Sequence, residues 1–202
     1  MQDTQMGHFS VKVGGDKYNL TPSLRNMSRL ASASRLIVFY DMMHSNKVPE
    51  NVLIDLSREI ILTCADSEEI DKHLIKCKRG KPHITKDSFS ASDQVVVAAG
   101  LIRHGVAGVN RPNNAGSRKA SGKEVTEFDV NRVVAESMIH FGLSRAEALD
   151  LTMSEFYQLL AAKYPQESSS DDAPTVKAYT DTMKEDEDMY KKALESLGVN
   201  NG

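Results

Sequence analysis

The chain has only two cysteines, Cys64 and Cys77. Both fall in segments with helical patterning, and neither shows the paired spacing of a disulfide framework or a zinc site. They read as free thiols of a reducing compartment. Long apolar runs are equally scarce. The longest, Val95 to Ile102, is interrupted by Gly100 and falls far short of the roughly 20 residues that span a bilayer. Residues Met1 to Gly7 carry Asp3 and no basic residue, and no apolar segment follows, so the pattern of a secretory signal is missing. The expectation is a soluble protein of the cytoplasm, with no membrane partner.

Catalytic spacing is missing too. The six histidines, His8, His44, His73, His83, His104 and His140, include no pair four apart, the spacing that sets two imidazoles on one helix face for a metal. His104 and His140 are expected at helix C-termini, where positive charge complements the dipole. Ser34, Ser90 and Ser144 read as helix caps, and no G-x-S-x-G elbow occurs. The run Gly116 to Lys123 approaches a phosphate-binding loop, but it has five residues between its glycines where that loop has four. Glu124 stands where the magnesium-binding hydroxyl belongs, and no apolar strand precedes the run. These readings give no catalytic residue, no cofactor and no metal, and the chain is expected not to be an enzyme.

What is present is charge, unevenly placed, and a long series of helical patterns. The 202 residues suit one domain with an appendage. Lys76 to Lys123 holds ten Lys/Arg against Asp87 and Asp93, a balance of +8, while residues 166–202 hold nine acids against four lysines, a balance of -5. A basic middle and an acidic tail suggest polyanion contact, or simply solvated segments of opposite sign.

Near the N-terminus Phe9, Val11 and Val13 alternate with polar residues, and Gly14-Gly15 supplies a tight turn before a return strand, Asp16 to Leu20. The spacing thus predicts a hairpin over 8–20. Thr21-Pro22 reads as an N-cap and first helical residue for a helix carrying Leu24, Met27 and Leu30. Ser32 or Ser34 opens a second helix, through Leu36, Phe39 and Met43, and Val48-Pro49 a third, through Leu53, Leu56, Ile60 and Ile61. Asp66 with Glu69 suggests a capping pair for a further helix through Ile70, Leu74 and Ile75, ending in a basic loop, Lys78 to Pro82. Ser90 should cap the most apolar and central helix, Ala91 to His104, with Gly105 as its C′ residue. Residues 108–123 read as a mobile basic loop.

Phe128 to Phe141 then form a helix stopped by Gly142. Two capping boxes follow, Ser144 with Glu147 and Thr152 with Glu155, each starting a short helix, and Pro165 ends the last. A linker and a charged helix, Thr175 to Leu197, complete the tail. The fold class is therefore mainly α: a helical domain over 1–165 with a small N-terminal β-hairpin, and a flexible or helical acidic tail over 166–202. The pair of short capped helices also has the form of a helix-turn-helix, but its second helix offers Glu155 near its start, no Arg or Lys before Lys163, and only Gln158 as a base reader. Nucleic acid is accordingly disfavoured as a partner, and the basic middle has Phe89 as its one aromatic.

Three stretches, FSVKVGGDKYNLTPSLRNMSRL, VVVAAGLIRHGVAGV and VAESMIHFGLSRAEALDLTMSEFYQLLAAKYP, together resemble the tail assembly chaperones of long-tailed bacteriophages. The resemblance implies a protein of the host cytoplasm that binds the tape measure protein and keeps it soluble while the tail tube is built. Tail tube subunits are a further partner, and a homo-oligomer is open. On that reading Phe141, Leu143, Leu151, Phe156 and Leu160 are candidates for a partner groove, with a place in the core as the alternative for each. The competing functions are a nucleic-acid-binding regulator using the basic middle and residues 144–163, and a structural tail or head-tail connector.

Overall fold

The computed structural model describes residues 2–3, 6–45, 47–78, 80–109 and 128–165. They belong to Met1–Tyr164, the first of two units into which the chain divides, together with Pro165. The basic loop beyond Val109, the phosphate-loop-like run at 116–123 and the tail helix at 175–197 lie outside the described residues.

A hairpin forms where the alternation predicts it: β2 (Phe9–Val13) pairs antiparallel with β3 (Asp16–Leu20), Val13 opposite Asp16. Gly14 and Gly15 have φ of 60° and 92°, so the two-residue turn needs the left-handed conformation twice in succession, which two glycines adopt without steric penalty. Phe9, Val11, Tyr18 and Leu20 share the buried face. A short strand, β1 (Gln2–Asp3), adds to β2 through Gln2–Ser10 and Asp3–Phe9 and makes a three-stranded sheet that periodicity had not indicated. The free edge of β3 is closed by the chain after α3 (Glu50–Cys64): Leu20 bridges Ala65, and the Asp66 carboxylate accepts from the Asn19 backbone and side-chain amides.

Helices carry the rest. α1 (Leu24–Leu30) buries Leu24, Met27 and Leu30 as their spacing requires, but its N-cap is Ser23, whose hydroxyl accepts from Asn26, and not Thr21. Thr21 is held extended instead, its N–H donated to the Cys64 carbonyl. α2 (Ala33–Met43) starts after Ser32, which makes no side-chain cap, so Ser34 lies inside the helix. The expected helix over 66–75 shrinks to a single 3-10 segment, Glu68–His73, capped by Ser67, because Asp66 is already spent on Asn19. The basic loop after it is a second small hairpin, β4 (Lys76–Lys78) with β5 (Lys81–His83).

α4 (Ala91–Ile102) is capped by Ser90 and packs chiefly on α3 and also on α2, placing Val97, Ala98, Leu101 and Ile102 in the core. At its centre the fully buried Gln94 amide accepts from Ile75 N–H at 2.7 Å and donates to the carbonyls of Ile54 and Ile75. Gly105 does not end this helix. The chain runs on as a π-helical turn, Arg103–Ala107, and stops at Gly108, with φ 70°. Gly105 is required for a different reason: a Cβ there would lie 2.7 Å from Met27 Sδ and 3.0 Å from the Pro22 carbonyl, so glycine lets α1 and the π turn approach.

α5 (Val130–Phe141) begins two residues later than expected, with Asp129 as its cap, and ends at left-handed Gly142. α6 (Arg145–Asp150) and α7 (Met153–Lys163) follow, each opened by the complete reciprocal capping box its sequence encodes.

Candidate functional site

The C-terminal part of the described unit, α5 to α7, is the region on which the predicted partner residues fall. It is attached to the body at many points. Leu24 N–H donates to the Leu151 carbonyl at 2.8 Å, Arg25 reaches Asp150 Oδ1 at 2.8 Å, and the Thr152 hydroxyl donates to the Met6 carbonyl. His8 Nε2 lies 2.8 Å from Glu155 Oε1, and the same carboxyl group accepts from Thr152 N–H to complete the capping box. Ser154, buried, accepts from Val109 N–H and shares a 2.8 Å hydrogen bond with His104 Nδ1.

This attachment bears on the helix-turn-helix reading. α6 and α7 are separated only by Leu151 and Thr152, shorter than the three- to four-residue turn of such a unit, and the first turn of α7 faces inward: Met153, Ser154 and Phe156 are buried and Glu155 is tied to His8. A recognition helix presents that end to a groove. Phe89, the aromatic of the basic middle, is half-buried and packs against the core.

The Ser154–His104 contact has the two residue types of a nucleophile and its base, assembled across 50 residues. Its geometry serves packing. Ser154 is 2% exposed, its oxygen already accepts the Val109 amide, and the imidazole stands edge-on to the Phe9 ring. His104 is therefore a buried polar link and not the surface cap its sequence position suggests. His140 does sit in the last turn of α5, and its Nδ1 is 2.9 Å from the Tyr164 hydroxyl. His73 is buried beneath the hairpin turn, with Nδ1 on the Asp87 carbonyl and Nε2 3.5 Å from Asp16 Oδ2. Among the described residues no three His, Cys, Asp or Glu side chains are grouped to hold a metal ion. Both cysteines are free thiols, and burial pushes the Cys64 thiol far above its ordinary value, which suppresses the reactive thiolate.

The five predicted partner positions divide. Phe156 is 3% exposed and belongs to the core, stacked edge-on against Phe141 at 6.0 Å, so it cannot line an accessible groove. Phe141, Leu143 and Leu160 are half-buried and pack against the core, and Leu151 is half-buried where its carbonyl caps α1. Other apolar side chains of α5 and α7, and Tyr164 after α7, are open: Ile139 is 79% exposed, and Met138, Leu159 and Tyr164 are also exposed. Lys163 joins α7 to the end of α5, donating to the His140 carbonyl and lying 6.0 Å from the Phe141 ring centre. The signal for Ile139 was in the sequence. At 100° per residue it falls on the Arg132–Glu136 side of α5, opposite Val130, Val134, Ser137 and Phe141.

Two other depressions occur among the described residues. One, about 480 Å³, lies between α1, α3 and the 3-10 segment, and Arg58 and Asp71 meet there at 2.7 Å. Burial alone would raise the Asp71 carboxyl, but hydrogen bonds from Lys76 and Arg58 outweigh it and hold the group below its ordinary value. The other, about 350 Å³, lies between β2 and the start of α4.

The chain belongs to a family of unknown function (DUF6246), which matches residues 57–188, from within α3 through α7 and beyond. No curated protein and no solved structure matches it.

Proposed function

We propose that this protein is a tail assembly chaperone of long-tailed bacteriophages, which binds the tape measure protein in the host cytoplasm and keeps it soluble while the tail tube assembles. One observation carries the reading. Of the eight large apolar side chains exposed among the described residues, four, Met138, Ile139, Leu159 and Tyr164, lie within 134–165, one of the three stretches that resemble those chaperones. A long amphipathic helix needs its apolar stripe covered before assembly, and an exposed apolar patch on short, rigidly capped helices can cover one or two of its turns at a time. The proposed partner residues are thus the exposed Met138, Ile139, Leu159 and Tyr164, in place of Phe141, Leu143, Leu151, Phe156 and Leu160.

The capping boxes and the ties from Arg25 and His8 hold this surface in one arrangement, which lowers the entropy lost on binding. No helix among the described residues is long and apolar enough to cross a membrane, in keeping with a partner met in solution. The test is co-purification. The chain, co-expressed with the long helical reading frame of the same genome, elutes with it as one complex on size exclusion. Separate elution of the two at every salt concentration contradicts the proposal. Mass spectrometry of purified particles distinguishes a connector, which is retained, from a chaperone, which is not.

A further inference from the structure

The basic stretch after the 3-10 segment, which reads as a loop in the sequence, is folded as a two-stranded ribbon, and its register sorts the side chains. Lys76 of β4 is paired with His83 of β5, Cys77 with Pro82 and Lys78 with Lys81. Directly opposite residues point to the same face and successive ones to opposite faces, so Lys76, Lys78, Lys81 and His83 share one face, and Cys77 and Pro82 share the other. Cys77 fastens the ribbon to α3. Its thiol donates to the Asn51 carbonyl at 3.5 Å, and its backbone N–H donates to Asp55 Oδ1 at 3.2 Å. The face with the lysines is thereby turned to solvent, and all four of its side chains are exposed.

The charge carried there is concentrated and of one sign. Residues 76–86 contain five Lys/Arg and no Asp or Glu. Lys76 also reaches back to Asp71 at 2.7 Å, so the cationic face is centred on Lys78 and Lys81, which flank the tip of the ribbon. Alternate residues of a strand are about 6.7 Å apart and paired strands about 4.8 Å, which sets three ammonium groups within a few ångströms of one another. Duplex DNA has the charge density to match, one phosphate per about 1.7 Å of axis, and its major groove, about 12 Å wide, admits a two-stranded ribbon. A single strand fits less well, because its binders stack the bases on aromatic rings, and Phe89 is packed against the core.

We infer that the exposed face of the β4–β5 ribbon binds the phosphate backbone of double-stranded DNA through Lys78 and Lys81, without preference for base sequence. Ammonium groups act on phosphates as point charges, which fix position and carry no base code. The site uses neither α6 nor α7, and it does not depend on what the α5–α7 surface binds.

The probe is a fluorescent duplex of mixed sequence, about 20 base pairs long, titrated with the full-length chain and followed by anisotropy between about 50 and 200 mM salt. The logarithm of the affinity falls linearly with the logarithm of the salt concentration. Lys78→Gln with Lys81→Gln lowers that slope by about 1 to 2 and weakens binding about tenfold at the low-salt end. Lys12→Gln with Lys17→Gln makes the same change in net charge on the outer face of the first hairpin, and leaves slope and affinity as they were. All four lysines are exposed, so both double variants melt with the parent. No binding at about 50 mM salt, or an equal loss in the two double variants, overturns the inference. So does a single strand bound as tightly as the duplex. Binding to phosphatidylserine vesicles that needs Lys78 and Lys81, with none to the duplex, also overturns it and makes a lipid surface the occupant, with Ile84, 63% exposed, next to the ribbon.

Discussion

His8 and Glu155, 147 residues apart in sequence, meet at 2.8 Å, and through them the start of the hairpin is fastened to the first turn of α7. Glu155 serves two structures at once, since it also accepts the Thr152 N–H. Replacing it by Ala removes half of a capping box and one member of the pair, and should cost about 1–2 kcal/mol by urea denaturation. His8→Ala should cost less. The double variant should show a coupling of about 0.5–1 kcal/mol, and full additivity would mean that the contact contributes nothing.

Gln94 is the polar centre of the body. Gln94→Leu keeps the volume but leaves the buried Ile75 N–H without its acceptor. The loss should be about 3 kcal/mol, and the Ile75 amide should lose exchange protection selectively. A change under about 1 kcal/mol would show that the amide finds another partner.

Gly108 and Gly142 test two kinds of requirement. Both have positive φ, but a Cβ on Gly142 meets open space, whereas one on Gly108 would lie 2.5 Å from the Tyr157 ring and 3.1 Å from the Met153 carbonyl. Gly142→Ala should cost about 1 kcal/mol. Gly108→Ala should cost clearly more, because α7 has to move. Equal melting temperatures for the two would refute the close approach.

The contrast between those glycines shows what was legible in the sequence. Local grammar was readable: the Gly14-Gly15 turn, both capping boxes and the left-handed stop at Gly142 all formed at the residues that encode them. What failed depended on distant partners. Asp66 does not cap the following segment because it is bonded to Asn19, and Gly105, which reads as a stop, is glycine because of the approach of Met27 and Pro22. Exposure within α5–α7 needs the phase of each helix as well as its composition. Phe156 and Ile139 are both large and apolar, and only the phase of each helix against the core separates the buried one from the exposed one.

Acid should weaken this fold through three carboxylates. Asp16 is held below its ordinary value by Lys72 and then by His73, Asp71 by Lys76 and Arg58 against the opposing effect of burial, and Glu147 by the hydroxyl and backbone N–H of Ser144. A lowered folded value means that the native state binds protons less readily than the unfolded chain. The stabilisation is then complete above the unfolded values, about pH 4–5, and is lost as pH falls through the folded ones. The urea midpoint should hold between pH 7 and about 5 and drop below about 4, with a smaller drop in Asp71→Asn. An unchanged drop in that variant would remove Asp71 from the account.

The most direct test of the chaperone proposal is the soluble fraction of the tape measure protein of the same genome, expressed alone, with this chain, and with an Ile139→Asp, Leu159→Asp variant. Both side chains are exposed, so the variant should melt with the parent. The account predicts a soluble tape measure protein with the parent chain and an insoluble one with the variant or alone. A fraction that stays the same in all three would contradict it.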